Sequence, residues 1–163
     1  MPLAAYLKIG DIAGESQRVD HEEEIDIHDI MWNIEHGSAA RVGKGRRARA
    51  RAHVGAINLK KFTDAASPYL VLACMQGKSF PDMVLSVRKD SGEAHLDYLI
   101  ITMENVTISQ FETIGVGEEE DGQMIEERLG LVFENVTYKY TVQGDDHSAG
   151  GEHEITYDIA AGV

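Results

Sequence analysis

The chain has 163 residues, 28 acidic against 15 basic, a formal net charge of −13 and a single cysteine; this excludes an intrachain disulfide and a cysteine-based zinc centre, and it opposes broad binding of nucleic acid or an anionic membrane. The length suits one domain spanning residues 1–163, able to bury roughly 70% of its unfolded surface without staples. No apolar run approaches the ~20 residues of a membrane span, and Lys8 and Asp11 come too soon for a signal peptide, so the expectation is a soluble chain, made in a reducing cytoplasm, that leaves the cell without a cleaved signal if it leaves at all.

In chain order, "AAYLKIG" opens with strand character. In "EEEIDIHDIMWNIEHG" Ile25 and Ile27 share one parity while Ile30, Trp32 and Ile34 share the other, which predicts a bulge or bend near His28 and Asp29. "AHVGAINLKKF" resumes strand alternation. "SPYLVLACMQGK" predicts the one helix: Ser67 as N-cap, Pro68 at N1, a left-handed Gly77 as terminator and Lys78 at the negative dipole end. Its middle, from Tyr69 to Met75, is apolar nearly all round, which predicts a mostly buried helix. Three long Val/Ile/Tyr/Thr-rich runs follow, "DMVLSVRKD", "AHLDYLIITMENVTISQFETIG" and "ERLGLVFENVTYKYTVQG". "KDSGE" (89–93) reads as a hairpin turn, "GVGEEEDGQ" (115–123) as an acidic loop, and "GDDHSAGGEHE" (144–154) as a polar loop before a last strand, "EITYDIA". "ENVT" occurs twice, at 104–107 and 134–137, which suggests equivalent positions in paired or symmetry-like strands.

Catalytic chemistry is hard to assemble. There is no G-x-S-x-G, P-loop or dinucleotide fingerprint. Asp145, Asp146, His147 and His153 are residue types that hold metals, but such loops are commonly just solvated surface, and no cofactor or metal is expected. The acidic runs at 21–24 and 118–121 lack the spaced oxygens and central glycine of a calcium loop. Cys74, inside the apolar helix, reads as an inert buried thiol.

The anomaly is "ARVGKGRRARARAHVG" (40–55), where Arg41, Lys44, Arg46, Arg47, Arg49 and Arg51 stand with no acid among them. Without these six, the chain keeps 9 basic residues against 28 acidic, a net −19. A nucleic-acid arm is disfavoured because it lacks aromatics and sits on an acidic body. Two readings stay open: a flexible loop, or an arm that docks on the acidic surface of another copy, as head-to-tail association allows. The candidate partners are Glu22, Glu23, Glu24 and Asp26, or Glu118, Glu119, Glu120 and Asp121.

"NLKKFTDAASPYLVLACMQGKSFPDMVLSVRK" (58–89) resembles the tube proteins of type VI secretion systems, the haemolysin-coregulated proteins (Hcp). The resemblance is carried by Asp64, Ala66, Ser67, Pro68, Cys74, Gly77, Lys78 and the strand from Val84 to Lys89. "AAYLKIGDIAGES", "YLIITMENVTISQF", "ERLGLVFENVTYKYTVQ" and "ITYDIAAG" extend it over essentially the whole chain. It implies a mainly β fold: a two-sheet antiparallel β-barrel with one short α-helix and a long extended loop, similar to phage tail-tube proteins. It further implies a non-enzymatic subunit forming hexameric rings that stack into a tube, expelled by a contractile sheath. The partners it implies are other copies, the sheath, spike and baseplate proteins, and small effectors in the lumen, with no nucleic acid and no membrane insertion. The resemblance implies a cytoplasmic protein before assembly that is then secreted into the medium or a target cell. The family's extended loop falls at residues 38–51 here and reaches a neighbouring ring or subunit, although the density of arginine matches no family motif. No toxin domain follows Val163, so a plain tube subunit is expected. The alternative is a small β-barrel binding module whose loop 41–51 grips a polyanion or acidic protein.

Overall fold

The computed structural model describes residues 3–37, 52–91, 94–115 and 124–163. Its elements are β1 (Ala4–Ile9), β2 (Ile25–Ile27), β3 (Asp29–His36), β4 (Ala52–Phe62), α1 (Ser67–Gln76), β5 (Ser79–Ser91), β6 (Ala94–Ile114), β7 (Glu126–Val132), β8 (Asn135–Gln143) and β9 (Ala149–Asp158). All nine strands belong to one antiparallel sheet in the order β2-β1-β5-β6-β7-β4-β3, with β8 branching from β6 and β9 pairing β8.

The expected two-sheet barrel is corrected by this topology. β6 is 21 residues long. Along one edge it pairs β5; along the other it pairs β8 from Leu99 to Glu104 and β7 from Thr107 to Ile114. What the barrel expectation separated into two sheets is therefore continuous through one strand. Nor is the sheet closed by a ladder, because its ends, β2 and β3, are joined through His28 in the chain rather than paired with each other. At that break the His28 amide donates to Lys60 O (2.9 Å) and its ring packs on Phe62 (4.5 Å). The change of parity read from the isoleucines is thus a real strand break.

The core follows from alternation. Leu7, Ile25, Ile57, Leu59, Leu85 and Leu131 are each at most 1% exposed, and a buried aliphatic side chain of this size contributes ~1.5–3 kcal/mol. Between β1 and β2 the chain makes a long excursion that is tied back: Gly14 N donates to Glu23 O (2.7 Å) and Ser16 N to Glu24 O (3.0 Å). A Cβ on Gly14 would lie 2.4 Å from Glu24 O. Gly14→Ala is therefore expected to cost about 1–3 kcal/mol, the usual penalty of overpacking. Thermal denaturation checks this, and an unchanged midpoint would contradict it.

The helix stands where the sequence puts it, with two differences. Gly77 terminates it at φ 61°, its N–H and that of Lys78 donating to Cys74 O and Ala73 O. The N-cap, however, is Ala66 and makes no side-chain cap bond. Ser67 lies one residue inside, its hydroxyl drawn into the buried cluster described below. The helix is also less buried than its composition predicts: Leu70 and Ala73 face the core, whereas Tyr69, Leu72 and Met75 are 62%, 50% and 80% exposed.

The two "ENVT" copies lie on paired strands but out of step: they meet only where Glu104 faces Asn135, while Val136 and Thr137 face Met103 and Thr102, which precede the first copy. Asn105, at φ 52°, donates its amide to Glu134 (3.1 Å). The hairpin turn expected at 89–93 is shorter than read: β5 runs on to Ser91, which pairs Ala94, and residues 92–93 lie outside the described residues. The polar loop expected at 144–154 is shorter than read, because β9 already begins at Ala149.

Candidate functional site

Two buried polar clusters fix the scaffold on which any assembly surface must sit. Lys61 on β4 is fully buried opposite Glu127 on β7, which is 3% exposed. Its ammonium lies 2.7 Å from Glu127 Oε2, 2.9 Å from Asp64 Oδ1 and 3.0 Å from Ser67 Oγ. Ser67 Oγ donates to Glu127 Oε2 (2.9 Å) and Thr63 Oγ1 to Glu127 Oε1 (3.0 Å). Asp64 Oδ1 also accepts from Ala66 N (3.0 Å) at the start of the helix. This one ion pair therefore joins β4, β7 and the helix entry.

The second cluster pins the 10–24 excursion. His21 stacks on Tyr6 at 4.4 Å, with Nδ1 2.6 Å from Glu24 Oε2 and Nε2 3.0 Å from Asp97 Oδ2. Arg88 donates to Asp97 (2.8 Å) and to Val19 O (2.7 Å). Burial works to raise the Asp97 carboxyl, but the hydrogen bonds from Arg88 and His21 outweigh it and hold it below the ordinary range. The unfolded chain then binds more protons than the folded one as pH falls. This contribution is complete above about pH 3.9, the unperturbed aspartate value, and is lost as pH drops through the lower folded value. Urea unfolding between pH 7 and pH 2 should accordingly show a shallower acid loss in Asp97→Asn than in the parent. Equal acid slopes would contradict the assignment.

The sequence-predicted site residues fare unevenly. Arg41, Lys44, Arg46, Arg47, Arg49 and Arg51 lie outside the described residues, as do Glu118, Glu119, Glu120 and Asp121. Glu22 and Glu23 are exposed, Glu23 at φ 62°. Glu24 is committed to His21. Asp26 projects from β2 into the wall of a groove of about 520 Å³. In the 144–154 stretch, Asp146 Oδ1 accepts from Ser148 Oγ (2.6 Å) and Ser148 N (3.2 Å), which holds its carboxyl below the ordinary range. Among the described residues no group of three or more His, Cys, Asp or Glu is placed to hold a metal ion. Cys74 is half-buried.

Sequence reasoning missed Lys61 and Glu127, yet both carry a signal. Lys61 continues the parity of Ile57 and Leu59, and Glu127 that of Leu129 and Leu131, all four of which are core residues. A charge at core parity in each of two strands is a buried pair waiting to be matched.

Exposed apolar side chains lie on α1, where Tyr69, Leu72 and Met75 stand out, and on strands at the margins of the sheet. Among the described residues β3 pairs only β4, and β9 pairs only β8. Met31 and Ile34 on β3 are 66% and 52% exposed, and Ile155 on β9 is 60% exposed. Such edges are templates for another chain unless covered.

The fold defines a mainly β subunit with unpaired strand edges among the described residues, and comparison with known proteins gives its family. The family described as "Type VI secretion system effector, Hcp" matches residues 6–140. The chain is 34% identical to Protein hcp1 of Pseudomonas aeruginosa, over 100% of this chain and 99% of that one. Its structure is similar to Hcp1 from Salmonella typhimurium, with TM-score 0.79 and 30% identity over 99% of this chain and 98% of that one. It is also similar to a type VI secretion system effector from Yersinia pestis, with TM-score 0.74 and 25% identity over 95% and 99%. The chain belongs to the Hcp family. It is a structural tube subunit of type VI secretion and not an enzyme.

Proposed function

We propose that copies of this chain close into hexameric rings, that the rings stack head to tail into a hollow tube, and that the basic segment 41–51 makes the contact between rings. The observation that carries the reading is the full-length match to the Hcp family on a subunit in which, among the described residues, β3 and β9 each pair along one edge alone. The ring is held mainly by strand and apolar contacts at these edges. The tube works with sheath, spike and baseplate proteins of the secretion system and carries small effectors in its lumen. It is cytoplasmic before firing and extracellular, or inside a target cell, afterwards.

The arm acts through charge. Six cations within eleven residues repel one another, and opposed carboxylates on a neighbouring copy remove that repulsion. One exposed ion pair gives only ~0–1 kcal/mol, so the arm works as a cluster. A variant in which Ile155 is replaced by Glu tests the edge contact. With Ile155 60% exposed on β9, which pairs only β8 among the described residues, the folded subunit should persist while rings give way to smaller species in sedimentation. Rings as abundant as in the parent would remove β9 from the interface.

A further inference from the structure

We infer that the groove lined by Glu15, Asp26, Asp64 and Asp90 receives the basic segment 41–51 of a second copy of this chain, end to end. This rests on the head-to-tail reading above and adds the receiving site.

The groove has the size of a binding pocket, about 520 Å³, and its four carboxylates face a single arginine, Arg18. Ile27, Phe62 and Met124 supply an apolar wall against which arginine stems can lie. Three of the carboxylates are held in place by the fold through one oxygen: Glu15 Oε2 accepts from Ala65 N (3.1 Å), Asp64 Oδ1 pairs Lys61 (2.9 Å) and Asp90 Oδ1 meets His95 (2.8 Å). Their second oxygens are positioned acceptors, and a guanidinium fork suits such a set better than an ammonium. Enclosure pushes the Asp26 carboxyl up, against a lowering hydrogen bond from Ser16, and an incoming cation would relieve that cost. One acidic candidate named from the sequence is here: Asp26 is in the wall.

Topology makes the contact intermolecular. The basic segment leaves the body between His36 and Ala52, which pair with each other at one end of the β3–β4 ladder. Phe62, at the groove, is the other end of the 11-residue β4. That separation is about 33 Å at ~3.3 Å per residue. A segment of 15 residues tethered at both ends of that pair reaches at most about 26 Å. It falls short of its own groove. Donor and acceptor at opposite ends of one subunit give a heterologous contact, which propagates as a stack.

Cross-linking tests this in the full chain carrying Cys74→Ser. The pair Arg47→Cys with Glu15→Cys puts one partner on each end, so oxidation should give a ladder of covalent multimers beyond the dimer on a non-reducing gel. Each single cysteine can give dimers at most. Moving the second cysteine to Glu104, on the strand paired with Asp82 some eight residues from Asp90, should remove the ladder. As a second variant, Glu15→Lys with Asp26→Lys should abolish stacking and keep single rings, and Arg46→Glu with Arg47→Glu should restore stacking in that background. Stacked rings in micrographs with no ladder and no charge-swap rescue would overturn the groove while leaving the ring reading intact. A parent protein without annular particles would bring down the ring reading, and the groove with it.

Discussion

Serine in place of Arg46, Arg47, Arg49 and Arg51 is expected to leave single rings and abolish their stacking. Four of the segment's six cations are lost, while no residue at the edges of β3 or β9 is touched. The contact it removes is electrostatic and lies at a surface, so salt should mimic the substitution. The Debye length falls from ~10 Å at 0.1 M to ~3 Å at 1 M, and stacks of the parent should come apart over that range before rings do. Ring contacts made by strand pairing and apolar burial are far less sensitive to ionic strength. Negative-stain micrographs of parent and variant at both salt concentrations read this directly. A variant that stacks as well as the parent, or stacking indifferent to salt, would show that the arm does not act through charge.

The largest effect on stability is expected at Lys61. Lys61→Met leaves Glu127 buried against Ser67 and Thr63 without its cation. Breaking a buried pair from one side costs about 3–5 kcal/mol, because the remaining charge is desolvated and uncompensated. Replacing both partners, Lys61→Met with Glu127→Leu, should recover most of that loss, since two apolar residues facing each other across β4 and β7 need no compensation. Urea unfolding at fixed protomer concentration measures both, the concentration being held because assembly itself stabilises the fold. A single-variant loss below about 1 kcal/mol, as for an exposed pair, would contradict the burial. So would a double variant as unstable as the single.

The sequence made the strands, the helix and the bend at His28 legible because each has a local cause. Gly77 ends the helix through its own backbone, and the isoleucine parity in β2 and β3 reports which face is buried. What failed was non-local. Ser67 is misread as a cap because its hydroxyl is claimed by Glu127, sixty positions away. The helix exposes Tyr69, Leu72 and Met75 because the sheet covers only one side of it. The barrel expectation failed on β6, whose second edge is divided between β7 and β8, a partition no single strand's pattern encodes. The groove is assembled from β1, the 10–24 excursion, β2, the end of β4, Asp90 and Met124. Its carboxylates were visible as residues, but their convergence was not.

Sedimentation velocity of the purified chain at micromolar concentration and 1 M salt, where stacks are dispersed, tests the central claim most directly. A closed ring of six copies, each of 18.0 kDa, should run as one species of about 108 kDa, and the same sample should show annular particles of uniform diameter. A single boundary at the mass of one 18.0 kDa chain, with no annuli, would contradict the account of this protein as a ring-forming tube subunit.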